Sequence, residues 1–374
     1  MKQRIALVGL LSAFLVWTVC AITDVGGQRR LFFEEGRALL SDYWMPRTCV
    51  DEGYAEVGDK FLVWFGVKNS GWVDGKMRVV AHDRCYPPLA LLPLKAFPAT
   101  WGGAWAWTIL STLVLIIVLC ALARSWWPLV LLGSMPVLFN LERGNPIVLA
   151  AALVGVFLAW YRSEVRWKRT VAALALSAAV CFKVSPVVLG ALYLREKDWR
   201  SIGLCVVFTS VLFFVPWFFI PDGLSGLSMM LANAHENGRF YIRLAEFGLV
   251  AFWRTLRVVF HQNCTSLWPG CLLAAQLSRM IGLLMIGCGA WKRQPLWAVV
   301  GMLWAAGNMH YYGVLYLLPL LVLAPPTSIV STCLWFAILC PLQLVYAGHS
   351  GNAVLCNFCI LPLCAVMARE RRVG

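Results

Sequence analysis

Five stretches of the chain carry side chains whose types and placement suit chemistry. In "VCAITDVGGQRRLF" (Val19–Phe32) an apolar run ends at Asp24, with Arg29 and Arg30 close behind. "DRCYPPL" holds Arg84 and Tyr86, and Arg143-Gly144-Asn145-Pro146 follows an apolar run. Lys183 interrupts the apolar stretch Val171–Leu194, and His310 lies in "GNMHYYG" (Gly307–Gly313). A carboxylate can take a proton from a hydroxyl, while Lys, Arg and His can neutralise a phosphate. Brought to one place, these groups would handle an anionic, lipid-linked substrate. Each also has a plainer reading: Asp24 as a helix-end acid, Arg143–Pro146 as a tight turn, His310 as part of an aromatic belt with Tyr311 and Tyr312. Lys183 is the hardest to set aside, because a lysine at bilayer depth costs about 2.5–3.5 kcal/mol on insertion scales and needs a partner or a task.

The elements that must position these groups follow from composition. The 374 residues are 60% hydrophobic and 13% charged, with a mean hydropathy of +0.73, which places the chain among all-α polytopic membrane proteins. In a soluble protein a net charge of +14 would point to nucleic acid. Here the charges mark sides of a membrane, and the expected partner is the bilayer, with no nucleic acid.

Apolar runs alternate with short basic loops. Ile5–Ile22 is long enough to span and is expected to be retained rather than cleaved as a signal, because Cys20-Ala21 is a poor cleavage site. Residues 23–105 form a first external loop with turn signals at Val73-Asp74-Gly75 and Tyr86-Pro87-Pro88. Ala106–Ala123, Trp126–Asn140 and Pro146–Tyr161 then lead to "RSEVRWKR" (Arg162–Arg169), the clearest cytoplasmic marker. Arg195–Arg200 reads as cytoplasmic too, so Val171–Leu194 must enter and return, with Lys183 and Pro186 at the apex. Each arm is about 10–13 residues, or roughly 15–20 Å at helical rise, which is short of a hydrocarbon core of about 30 Å. The apex must therefore lie in protein or a wet cavity. Ile202–Ile220, a second external loop at 221–266, and Leu272–Trp291 follow. Leu296–Leu323 is read as a second short hairpin, broken at Gly307–Gly313, before Ile329–Tyr346 and Ala353–Met367. The expected architecture is a single membrane domain over 1–374 of roughly 10–12 segments, re-entrant hairpins included, with both termini cytoplasmic.

This topology used only hydropathy and Lys/Arg in short loops, yet it gathers Asp24, Arg84, Tyr86, Arg143, Asn145, Lys183, Asn233, Asn308 and His310 at the external face. Most of the fourteen cysteines lie in apolar segments as small buried hydrophobes. Cys49 with Cys85, and Cys264 with Cys271, are the pairs that an oxidising compartment could bridge. No Cys/His spacing resembles a zinc site and there is no Asp-x-Asp, so neither metal nor cofactor is expected.

The order of these groups resembles glycosyltransferase family 87. It comprises an acid after the first helix, Tyr86-Pro87-Pro88-Leu89, Arg143-Gly144-Asn145-Pro146 opening a helix, "CFKVSPVVLGALYLREKDWR" (Cys181–Arg200) and "HYYGVLYLLPL" (His310–Leu320). The family often carries Gly-Gln-x-Asn where this chain has Gly144-Asn145-Pro146. The resemblance implies a GT-C membrane fold and a polyprenyl-phosphate-mannose-dependent α-mannosyltransferase. It implies that Asp24 is the general base on an acceptor hydroxyl, that Lys183 and His310 lie near the donor phosphate, and that Tyr86 and Arg143 line the same cavity; Arg84 and Asn145 are further candidates for substrate contact. Asp42 in "LLSDYW" is the rival base, Asp24 being preferred because a helix end places a carboxylate more rigidly than a loop. The implied reaction transfers a sugar from the lipid phosphate to a glycan or glycolipid hydroxyl at the extracytoplasmic face, with inversion. A bacterial cytoplasmic membrane is the expected setting. The competing reading is a transporter or flippase for a lipid-linked or anionic solute, which also places Lys and Arg beside broken helices.

Overall fold

The computed structural model describes residues 40–54, 60–63, 72–73, 76–79, 85–241, 247–252, 269–306, 311–339, 345–346 and 349–373. The expected first span Ile5–Ile22 and three of the candidate residues, Asp24, Arg84 and His310, lie outside them.

The first loop is not mere coil. It contains helix α1 (Ser41–Glu52), a small antiparallel sheet of β1 (Lys60–Val63), β2 (Trp72–Val73) and β3 (Lys76–Val79) in the order β1-β3-β2, and α2 (Pro88–Lys95). Val73 pairs with Lys76, so β2 and β3 flank the turn signal at Val73-Asp74-Gly75. Pro87 and Pro88 start α2, since a first-turn proline sacrifices no helical hydrogen bond.

The membrane helices come next: α3 (Trp101–Ala123), α4 (Met135–Arg143), α5 (Ile147–Trp160), α6 (Arg166–Phe182), α7 (Ala191–Arg195) and α8 (Trp199–Phe214). Helix α9 (Gly226–Tyr241) precedes α10 (Pro269–Trp291), α11 (Pro295–Ala305), α12 (Leu318–Leu323), α13 (Ile329–Leu339) and α14 (Gly351–Val373). The chain is thus an all-α polytopic membrane protein, with strands confined to short stretches. Among the described residues, Trp101–Ala123, Trp199–Phe219 and Leu272–Trp291 are long and apolar enough to cross a membrane.

Two expected spans are shorter than hydropathy suggested. Trp126–Asn140 is broken into a 3-10 segment (Trp127–Gly133) and α4, with Pro128 and Pro136 opening the two pieces and Ser134 extended between them. Helix α13 is described over Ile329–Leu339, and Val345–Tyr346 at the far end of that expected span is a strand rather than helix.

The hairpin at Lys183 is present. Helix α6 ends at Phe182, Lys183 is extended (φ −152°, ψ 122°), and Ser185–Gly190 turns the chain back into α7. Its two flanking loops meet at one end of the bundle. Glu196 takes Arg162 at 3.5 Å and Arg293 at 3.0 Å, and Arg195 lies over Trp291 at 4.9 Å. The three basic loops expected on one side therefore share a side, and the 183–190 break lies away from them. Helix α12 returns beside α5, where a Cβ on Gly155 would lie 3.1 Å from Pro319. Glu370 of α14 then accepts from Thr327 and Ser328. Helices α10 and α11 approach through small residues: a Cβ on Gly282 would come within 2.5 Å of the Ala305 nitrogen, and one on Gly289 within 2.6 Å of the Ala298 nitrogen. Such backbone proximity is how membrane helices gain packing where lipid offers no hydrophobic drive.

At the basic end Asp198 caps α8, accepting from the Ser201 N–H at 3.1 Å and hydroxyl at 2.7 Å, and pairs with Arg169 at 3.3 Å. Burial raises its pKa, but the Ser201 and Arg169 interactions outweigh that and hold the carboxyl below the usual range. A depressed folded pKa stabilises above the unfolded value of about 4 and is lost as pH falls through the folded one. Thermal unfolding of detergent-solubilised protein is accordingly expected to show a falling midpoint on acidification below about pH 4, with Asp198→Asn showing a shallower acid decline.

Candidate functional site

At the end of the bundle away from the basic loops, two polar clusters form around α1. The first lies at its N-terminal end. Leu40 N–H donates to the Glu142 carbonyl at 2.6 Å, Asn145 Nδ2 donates to Asp42 Oδ2 at 2.9 Å, and Trp107 Nε1 donates to the Gly144 carbonyl at 3.0 Å. Asn145 is fully buried, and its Oδ1 accepts from the Ile147 N–H at 2.9 Å, capping the start of α5. The turn residues Gly144-Asn145-Pro146 are thus a turn and also a dock for Asp42. Arg143 lies over Phe139 at 5.4 Å, and Phe139 stacks on Tyr312 with centroids 6.1 Å apart. The described segment that opens at Tyr311 therefore lies beside α4.

Gly144 is left-handed (φ +70°), and a Cβ there would lie 2.8 Å from Thr108 Oγ1 and 3.1 Å from Tyr43 Cβ. Gly144→Ala is expected to cost about 1–3 kcal/mol through strain and collision. The readout is a lowered midpoint of thermal unfolding in detergent.

The second cluster lies past the C-terminal end of α1. Lys183 is half-buried, and its ammonium lies over the Tyr86 ring at 4.9 Å. Desolvation strengthens such a cation–π contact. Lys183 also stands at the C-cap of α6, the end at which a helix dipole favours a cation. Among the described residues no carboxylate forms an ion pair with Lys183. Beneath it the Tyr54 hydroxyl donates to the Tyr86 carbonyl at 2.6 Å, the Tyr54 N–H donates to the Asp222 carboxylate, and the Tyr54 ring packs on Trp217 at 5.1 Å. Cys49 and Cys85 both lie near enough to act on the Tyr54 phenol; Cys264 is outside the described residues.

The structure therefore joins Lys183 with Tyr86, and Asn145 with Asp42. It puts Phe139, over which Arg143 lies, against Tyr312, while His310 lies outside the described residues. Tyr54, Asp222 and Phe139 were not singled out from sequence, since each acts through partners distant along the chain.

Residues 85–307, more than half of the chain, match the family model described as glycosyltransferase family 87. The chain belongs to glycosyltransferase family 87. It is a membrane glycosyltransferase, and the matched region contains Tyr86, Arg143, Asn145 and Lys183. It begins one residue after Arg84 and stops three before His310. Both candidate bases of this glycosyltransferase, Asp24 and Asp42, precede it. Among curated proteins and solved structures, nothing matches the chain.

Proposed function

We propose that the enzyme transfers a sugar, mannose first among candidates, from a polyprenyl-phosphate donor to a hydroxyl of a glycan or glycolipid acceptor. The reaction takes place at the extracytoplasmic face of a bacterial cytoplasmic membrane, with both termini and the Arg162, Arg195 and Arg293 loops in the cytoplasm. The observation that carries this reading is Lys183. It is a cation at a break between membrane helices, supported on an aromatic face, lacking an ion pair among the described residues, and inside the family match. Such a group suits a phosphate that gains charge as it leaves.

The chemistry is a single displacement. The acceptor oxygen bonds to the anomeric carbon as the bond from that carbon to the phosphate oxygen breaks, which inverts the centre. A carboxylate takes the hydroxyl proton, and the lipid phosphate departs as an anion toward Lys183 and His310. Asp24 is the preferred base. Asp42 lies in the first turn of α1 and Tyr54 two residues past its end, with about 15 Å of helix between Asp42 and Glu52 at helical rise. A base at the anomeric carbon belongs within a sugar's width of the phosphate, so Asp42 suits the role of ordering Asn145 and the acceptor side of the cavity with Arg143. Arg84 adds a cation two residues from Tyr86 in the sequence.

The test is incubation of membranes containing the enzyme with radiolabelled polyprenyl-phosphate mannose and a membrane glycolipid fraction. Label entering a new glycolipid supports the reading. Transfer from another polyprenyl-phosphate sugar alone would keep the donor class and replace mannose. No transfer from any lipid-linked donor, with uptake of such a donor across vesicles, would overturn it in favour of a transporter.

A further inference from the structure

We propose that Tyr54 and Asp222 are positioning residues that hold Tyr86 beneath the Lys183 ammonium, so that the segment after α8 helps set the phosphate end of the site. The importance of Lys183 rests on the reading above; the mechanical link does not.

The link is built from three distant parts of the chain. Tyr86 is followed by two prolines, which offer no N–H with which to anchor this stretch, so its carbonyls must serve. The Tyr86 carbonyl takes the phenol of Tyr54 at 2.6 Å, in a buried bond. Tyr54 is fully buried, and burial raises its phenol pKa further, so the group stays a donor across any physiological pH.

Tyr54 is in turn fixed by the segment after α8. Its N–H donates to the Asp222 carboxylate, its carbonyl accepts from Asn233 Nδ2 at 3.5 Å, and its ring packs on Trp217. Two glycines make room for this. Gly53 is left-handed (φ +77°), and a Cβ there would overlap the Asp222 carboxylate; a Cβ on Gly226 would lie 3.1 Å from Tyr54 Cδ2. Asp222 opens the loop before α9. A shift of that loop is therefore passed through Tyr54 to the Tyr86 carbonyl, and from the Tyr86 ring to the ammonium 4.9 Å away.

Tyr54→Phe keeps the ring and its packing and removes only the donor to Tyr86. The test has two arms. In the first, purified full-length protein is treated with a charged, water-soluble amine-reactive ester, and modification of Lys183 is read by mass spectrometry. Tyr54→Phe, Asp222→Ala and the reference variant Tyr86→Ala are each expected to raise the labelling rate of Lys183 about threefold or more, by removing the aromatic cover. Asp222→Asn, which retains an acceptor for the Tyr54 N–H, should restore the native rate. Tyr43→Phe, which loses a comparable bond to the Pro98 carbonyl at 3.0 Å, should leave Lys183 labelling unchanged. Native labelling in Tyr54→Phe, or an equal rise in Tyr43→Phe, overturns the proposal.

The second arm measures binding of a polyprenyl phosphate without sugar. Tyr54→Phe should weaken it about 5–10-fold and have no further effect in a Lys183→Gln background. Additive losses would mean that Tyr54 acts elsewhere, and would overturn the proposal. A wild-type protein that binds no polyprenyl phosphate defeats the donor reading instead, and the labelling arm alone then decides the positioning role.

Discussion

Lys183→Gln is expected to lower kcat/KM for the lipid-linked donor by roughly 10²–10³-fold, the loss usual when one preorganised group facing developing charge is removed. The ammonium meets the phosphate most strongly as the bond to the sugar breaks and charge collects on the departing oxygen. The loss should therefore fall mainly on kcat, with a smaller rise in KM. Lys183→Arg should recover part of the rate, since it keeps the charge and can still lie over Tyr86, but its planar fork changes the distance to the phosphate. A purely structural lysine would behave differently. Its contributions would be the contact with Tyr86 and the favourable position at the end of α6, and their loss would lower the unfolding midpoint while the folded fraction turned over normally. Measuring both quantities on the same preparation separates the cases: Lys183→Gln with native kcat removes Lys183 from the reaction.

The fold was legible wherever a feature was local. Lys183 and Pro186 in an apolar stretch between two basic loops required a hairpin, and α6 does end at Phe182 with the chain turning back by Ala191. The ion pairs that fasten those loops were not legible: Glu196 reads as a minor acid in a basic loop, yet it receives both Arg162 and Arg293. Hydropathy also overran two helices, because a window average cannot see that Pro128 and Pro136 each begin a new piece. At the site, sequence could nominate side chains but not join them. Lys183 stood out by cost and Tyr86 by its prolines, whereas Tyr54 meets Tyr86 across 32 positions and Asp222 across 168. Asn145 was expected to contact substrate. It is fully buried and spends both ends of its amide on Asp42 and Ile147, a bond spanning 103 positions in the first case. Contacts of that separation are fixed by how the loop folds over the bundle, and no periodicity or turn signal records them.

The two acids are expected to separate cleanly on substitution. Asp24→Asn should reduce kcat by about 10²–10⁴-fold, the usual contribution of a general base, with donor KM nearly unchanged because the amide keeps the carboxylate's shape and takes only its basicity. Asp42→Asn should cost less than about tenfold. The Asn145 Nδ2–H donates to Asp42 Oδ2 at 2.9 Å, and the carbonyl oxygen of an asparagine at 42 can accept the same bond, so the dock of α1 on the start of α5 survives. Asp42→Ala should do more, since it strands the buried Asn145 amide without its acceptor; that penalty is about 1–3 kcal/mol and should lower the unfolding midpoint together with acceptor KM. The contrast rests on α1. About 15 Å of helix separates Asp42 from the end of α1 at Glu52, beyond which Tyr54, Lys183 and Tyr86 lie, whereas a base must reach an oxygen adjacent to the carbon that the phosphate leaves. Single-turnover assays with a preformed enzyme–donor complex isolate that step. If Asp42→Asn abolishes the turnover and Asp24→Asn spares it, the base is Asp42, and the donor must then lie along α1 with its sugar toward Asn145 and its phosphate away from Tyr54.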